Sequence, residues 1–172
     1  MHQTSENKRV MKQVLSMVIV CLAFMMLGSC ATPQERAARA AEQAAKVKIA
    51  LTERRYKINV DRMYPMKGGS KSVSFGYSVE VRNDSLISYL PYFGRAYNIP
   101  YGGGKGLNFS APISSYQESQ QKNGQRVIEI GLSNSEDTYI YTLKVFDNGN
   151  SSIDVQPRKR ERISYSGEMT FN

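Results

Sequence analysis

From Tyr56 to Phe171 apolar and polar residues alternate in short runs, and each run is cut by turn-forming residues before it reaches the length of an amphipathic helix. A period of two places successive side chains on opposite faces of a strand, so most of this chain is committed to β-structure with one face buried. Tyr56, Ile58 and Val60 alternate with Lys57, Asn59 and Asp61, and this first strand continues to Met66. After Lys67-Gly68-Gly69-Ser70, Val73, Phe75, Tyr77, Val79 and Val81 alternate with Ser, Gly, Glu and Arg, the cleanest alternation in the chain. Arg82-Asn83-Asp84-Ser85 then turns the chain into a strand over Leu86 to Leu90. Further strands are expected over Ser114 to Gln120, Gln125 to Leu132, Thr138 to Phe146, Ser151 to Gln156 and Arg162 to Phe171. Asn123-Gly124 and Asn148-Gly149 supply residues that accept positive φ, which tight hairpins demand, so the last four strands should form an antiparallel meander. The connections are too short for crossover helices. About eight antiparallel strands must protect their edges, by closing into a barrel or packing as two sheets. A small antiparallel β-barrel is favoured over a sandwich, with one α-helix ahead of it.

That helix is written into Thr32-Pro33-Gln34-Glu35: the threonine oxygen can accept from the N3 amide, proline loses nothing at N1, and Glu35 can reach back. Ala37 to Arg55 contains no Gly or Pro and is rich in strong helix formers, so the helix should run to about residue 54. Ala40, Ala44, Val47 and Leu51 fall at spacings of three and four and form a narrow apolar stripe, suited to docking on the barrel or to pairing with another helix.

Ahead of the helix, residues 1–29 read as an export signal. Lys8, Arg9 and Lys12 form a positive flank, Val14 to Leu27 an apolar segment shorter than the roughly 20 residues that span a bilayer, and Gly28 and Ser29 precede Cys30. The arrangement resembles the lipobox of bacterial lipoproteins, which implies a lipid on the Cys30 thiol and a mature chain that begins there. Residues 30–55 would then carry the lipid and the helix, and 56–172 the β domain. No acidic run follows Cys30, so the expected location is the cell envelope, on the periplasmic face of the outer membrane.

Loss of the signal leaves roughly 140 residues, enough for one domain with its own core. Of the two cysteines, Cys21 leaves with the signal and Cys30 takes the lipid, so no disulfide is expected. His2, the single histidine, also lies in the signal. Ser-His-Asp triads, histidine general bases and His-containing zinc sites are thereby removed together. Glu80, Asp84, Glu129, Glu136 and Asp137 offer carboxylates without a spacing that pairs them, so a non-enzyme without cofactor or metal is expected. The formal net charge is +8, and an exported basic surface points to acidic headgroups, acidic glycans or an acidic protein face rather than to nucleic acid. The densest basic run, Arg158 to Arg162 after Pro157, reads as a solvated turn between strands.

The alternation fails at Tyr89-Leu90-Pro91-Tyr92-Phe93-Gly94-Arg95-Ala96-Tyr97, which is followed by Pro100-Tyr101 and a glycine run. Proline and glycine end the ladder, so Tyr92, Phe93, Arg95, Tyr97 and Tyr101 should lie on a shaped loop over 89–106, the candidate binding segment. Two arrangements are open. The rings form an aromatic floor beside a free Arg95 that holds a carboxylate or phosphate, or Tyr92, Phe93 and Tyr97 plug a barrel end while Arg95 pairs with a carboxylate. The glycine run lacks the Gly-Lys-Ser/Thr ending of a phosphate loop.

The core from Leu90 to Tyr97 resembles the signature of a family of lipoproteins of gut Bacteroidales, the domain of unknown function DUF4251. The alanine-rich helix, the Tyr-x-Ile first strand and the glycine-rich segment after the core are similar too. The resemblance implies a lipocalin-like barrel with a leading helix and brings no enzyme activity, ligand or catalytic residue. The expected function is accordingly a lipid-anchored binding or assembly module that contacts an envelope protein or a small amphipathic or anionic ligand through loop 89–106. The alternative is a structural or inhibitory lipoprotein acting through its helix.

Overall fold

The computed structural model describes residue 16 and residues 32–74, 76–97, 106–121 and 124–171. Cys30 and, apart from Ser16, the proposed signal, along with Phe75, Tyr101 and Asn123, lie outside the described residues.

Helix α1 spans Pro33–Thr52 and opens as its sequence requires. The Glu35 amide donates to Thr32 Oγ1 at 3.3 Å, and the Thr32 amide donates to Glu35 Oε2 at 3.1 Å, a reciprocal capping box. The helix ends where Arg54 turns into the left-handed region at φ 52°, and its carbonyl there receives the Asn83 amide at 2.9 Å. Only part of the apolar stripe docks. Val47 and Leu51 are buried in the same core as the barrel side chains, with Ala50 beside them, while Ala44 is half-buried and Ala40 exposed.

Nine strands follow: β1 (Arg55–Pro65), β2 (Lys71–Ser72), β3 (Ser78–Arg82), β4 (Ser85–Leu90), β5 (Leu107–Gln120), β6 (Arg126–Ser133), β7 (Thr138–Val145), β8 (Asn150–Pro157) and β9 (Ile163–Thr170). Neighbours pair antiparallel in the order β1-β3-β4-β5-β6-β7-β8-β9, and β9 returns to pair with β1 from Lys57↔Thr170 to Pro65↔Ile163. The eight strands thus close into a barrel and settle the choice against a sandwich. Strand β2 is an extra piece that takes the free edge of β1 at Arg62 and Met63, beyond the rungs used by β3.

Two strands differ from the sequence reading. The clean alternation over 73–81 does not make one strand: the chain leaves β1 after Ser72 and rejoins it at Ser78, with Gly76 at φ 110°. This detour lies where β1 itself carries an extra residue, Asp61, between the rungs of Val60 and Arg62. Strand β5 begins at Leu107 rather than near Ser114, because Pro112 sits at the last rung with β4, opposite Ser85, where a missing amide hydrogen interrupts nothing further along. Among the hairpin turns, Gly149 takes φ 88° whereas Asn148 does not enter the positive region, so the glycine alone makes that turn. Met169 and Phe146 amides seal it, donating to the carbonyls of Gly149 and Asn150.

The interior is a packed core. Tyr139, Tyr141 and Tyr165 project into it together with Ile58, Leu86, Ile128, Leu143 and other aliphatic side chains, all but removed from solvent. Buried tyrosines need partners for their hydroxyls. Tyr141 donates to Ser88 Oγ at 3.0 Å and Tyr165 to the Pro91 carbonyl at 2.8 Å. Helix residues Val47, Ala50 and Leu51 complete this core at the end where β1 starts, and the segment after β4 meets the turns between β6 and β7 and between β8 and β9 at the other.

Candidate functional site

The segment after β4 is held by its backbone. Beyond the anchor from Tyr165 to Pro91, the Tyr92 hydroxyl lies 3.0 Å from the carbonyl oxygens of both Arg95 and Glu161. The Glu161 amide donates to the Arg95 carbonyl at 2.9 Å, the Arg95 amide to Glu161 Oε2 at 3.1 Å, and the Tyr97 amide to the Lys159 carbonyl at 2.8 Å. Ala96 and Arg160 form an antiparallel bridge between these bonds. Gly94 makes the approach possible, since a Cβ there would lie 2.7 Å from the Tyr92 hydroxyl oxygen. Burial and the Glu161 carboxylate push the Tyr92 hydroxyl above its ordinary pKa, with Arg160 opposing them, so it stays a donor near neutral pH.

Alternation then sorts the side chains. Ala96 and Arg160, paired across the bridge, face inward, and Arg95, Tyr97 and Lys159 face out. The structure therefore divides what the sequence offered as one group. Tyr92 is half-buried and serves as the plug, while Phe93 and Tyr97 are 49% and 70% exposed. Arg95 is exposed, and its guanidinium has no partner among the described residues. Phe93 lies beneath the Lys71 ammonium, which sits 3.6 Å from its ring centroid. Nearby on the outer surface, Tyr77 and Tyr89 stack at 5.1 Å.

The buried, paired arginine is Arg160, from the run read as a solvated turn. It is 8% exposed, bonds Glu136 Oε2 at 3.1 Å, and places its guanidinium 5.7 Å from the Tyr92 ring centroid. Its neighbours anchor the same turn: the Lys159 amide donates to Asp137 at 3.0 Å, and Lys159 Nζ to the Glu136 carbonyl at 2.7 Å. Asp137 is buried and also accepts from the Thr138 amide at 2.8 Å. Only Arg158 and Arg162 fit the solvated reading, and Arg162 is bonded to Asp154. The one sequence signal for Arg160 was the acid pair Glu136-Asp137 in another turn.

The remaining carboxylates stand apart. Glu80 bonds Arg82, and Asp84 lies 3.9 Å from Arg54. Among the described residues, no three His, Cys, Asp or Glu side chains gather as metal ligands would. What this end of the barrel can do chemically is to display: a fixed backbone carries two exposed rings and exposed cations.

The sequence model of the family described as "Domain of unknown function (DUF4251)" matches residues 38–169. The chain belongs to the DUF4251 family. The match bears out the resemblance to this family noted in the sequence. A solved DUF4251 protein from Bacteroides eggerthii DSM 20697 superposes with a TM-score of 0.59 at 16% identity, covering 77% of this chain and 89% of the other. At that identity the likeness is one of fold. No curated protein matches this DUF4251 chain.

Proposed function

We propose that this DUF4251 protein is a non-catalytic, lipid-anchored module of the bacterial cell envelope, which recognises a partner through Phe93, Arg95 and Tyr97. The observation that supports it is the combination at one barrel end of a backbone fixed by five hydrogen bonds and side chains left in solvent. A fixed loop loses little conformational freedom on binding, and exposed aromatics and arginine are the side chains that carry most binding energy in interfaces. The lipobox-like Leu27-Gly28-Ser29-Cys30 supports lipid anchoring, and the lack of an acidic run after Cys30 supports the periplasmic face of the outer membrane. The alternative of a helix-borne partner has less to work with, because Val47 and Leu51 are spent on the barrel core.

In-cell crosslinking tests the reading. The double variant Arg95→Ala, Tyr97→Ser should lose the crosslinked partner by about tenfold or more while its melting temperature stays within a few degrees, because neither side chain supports the fold. Cys30→Ala should move the chain from the membrane fraction to the soluble one. A double variant that melts much earlier would make the loop structural, and one that keeps its partner would place recognition elsewhere.

A further inference from the structure

Beside Tyr97, a hollow of about 350 Å³ opens between the turn after β6 and the turn after β8. That volume is at the small end of those that enclose small molecules. Apart from Tyr97 its lining residues are all of polar type, with Asn134, Ser135, Arg158 and Lys159 around that single ring. Both carboxylates of the turn are turned to other work. Glu136 bonds the buried Arg160, and Asp137 is committed to the amides of Thr138 and Lys159. The charge left to face a ligand is positive. Arg158 is exposed, with no partner for its guanidinium among the described residues, and Lys159 Nζ uses one of its three hydrogens on the Glu136 carbonyl, which fixes the ammonium at the rim. Asn134 is spent on the turn itself, its Oδ1 accepting the amides of Glu136 and Asp137 at 2.8 and 2.9 Å and its side chain meeting the buried Tyr139 hydroxyl, so the exposed Ser135 hydroxyl is the neutral polar group left to face a ligand.

We propose that this hollow is a binding site for an anionic saccharide, a sugar ring bearing a carboxylate or phosphate. The Tyr97 ring, 70% exposed on a backbone tied to Lys159, offers its electron-rich face to the weakly positive C–H face of a pyranose. Arg158 takes the anion through its planar fork and Lys159 adds a point charge. Ser135 serves a ring hydroxyl. An apolar ligand would find one aromatic face and leave Ser135, Arg158 and Lys159 desolvated, and a bare anion would leave Tyr97 and Ser135 unused. The site deepens the module reading and rests on it, because Tyr97 belongs to both.

Isothermal titration of the full-length chain in detergent with digalacturonate, glucose 6-phosphate, maltose and inorganic phosphate tests the proposal. At least one charged sugar should bind, with maltose and inorganic phosphate each about tenfold weaker or more. Arg158→Ala and Tyr97→Ala should each weaken that sugar about tenfold, and Tyr97→Phe should retain it. Which sugar binds separates carboxylate from phosphate. Equal binding of inorganic phosphate with no response to Tyr97→Ala, or no charged-sugar binding up to millimolar concentration, overturns the saccharide. Arg95→Ala distinguishes the two levels, since Arg95 does not line the hollow. If charged sugars fail while Arg95→Ala still loses the crosslinked partner, the module reading stands without the sugar.

Discussion

Replacing Gly167 with alanine is expected to destabilise the domain by about 3 kcal/mol or more. Gly167 sits on β9 opposite Val60, in the ladder that closes the barrel. A Cβ there would lie 1.9 Å from the Asn59 carbonyl oxygen, 2.8 Å from its carbonyl carbon and 3.0 Å from the Val60 Cα. These atoms are backbone and cannot rotate away, so the methyl group is admitted only if β1 and β9 separate beside the extra residue at Asp61. Gly131→Ala is the matched control. Its Cβ would meet Ser115 Oγ at 2.5 Å, a side-chain atom that can turn to another rotamer, and the cost should stay below about 1 kcal/mol. Urea unfolding of both variants at constant slope makes the comparison. Equal midpoints would mean that the seam is looser than the barrel requires.

Stability should collapse above about pH 10. Burial raises the hydroxyl pKa values of Tyr141 and Tyr165 far above the ordinary value of 10.0, although Ser88 hydrogen bonding partly offsets the effect at Tyr141. Tyr56, Tyr116 and Tyr139 shift in the same direction, chiefly through burial. In the unfolded chain these groups titrate near 10, so above that pH the unfolded state binds fewer protons than the folded one. The stability these groups contribute is therefore complete below pH 10 and is lost as the pH rises toward their folded pKa values. Each tyrosine kept protonated by the fold removes about 1.4 kcal/mol per pH unit in that window. The phenolate absorbance of the buried tyrosines should appear together with the loss of circular dichroism in one cooperative step, after the exposed rings of Tyr64, Tyr89 and Tyr97 have ionised without unfolding, and Tyr141→Phe should flatten the decline. Ionisation of every tyrosine, buried ones included, at pH 10 to 11 without loss of the fold would contradict the packed interior.

Much of this architecture was legible because its causes are local. The capping box at Thr32 and Glu35 and the turns at Asn83, Gly124 and Gly149 each act over a few residues, and together they place the helix and the closing meander. The failures have distant causes. Val73 to Val81 alternates as a strand should, yet its pairing is broken where β1 bulges at Asp61. Proline 112 concealed the first half of β5, because its harmless position depends on where β4 ends. The loop announced itself as a break in pattern, but which of Tyr92, Phe93, Arg95 and Tyr97 turn inward is decided by hydrogen bonds to Lys159 and Glu161, more than sixty residues later. The same contacts bury Arg160 and leave Arg95 in water. Composition treats the two arginines alike, and parity across a single bridge separates them.

A recognition surface that exists before its partner arrives must have a protected backbone under its exposed side chains. Hydrogen–deuterium exchange of the full-length chain, without ligand, measures this directly. The amides of Arg95, Tyr97 and Glu161 should exchange as slowly as those of β8 and β9, since each donates a hydrogen bond within this barrel end. Exchange of these three amides at the rate of an unstructured peptide would show that the surface is not preformed and would contradict the account.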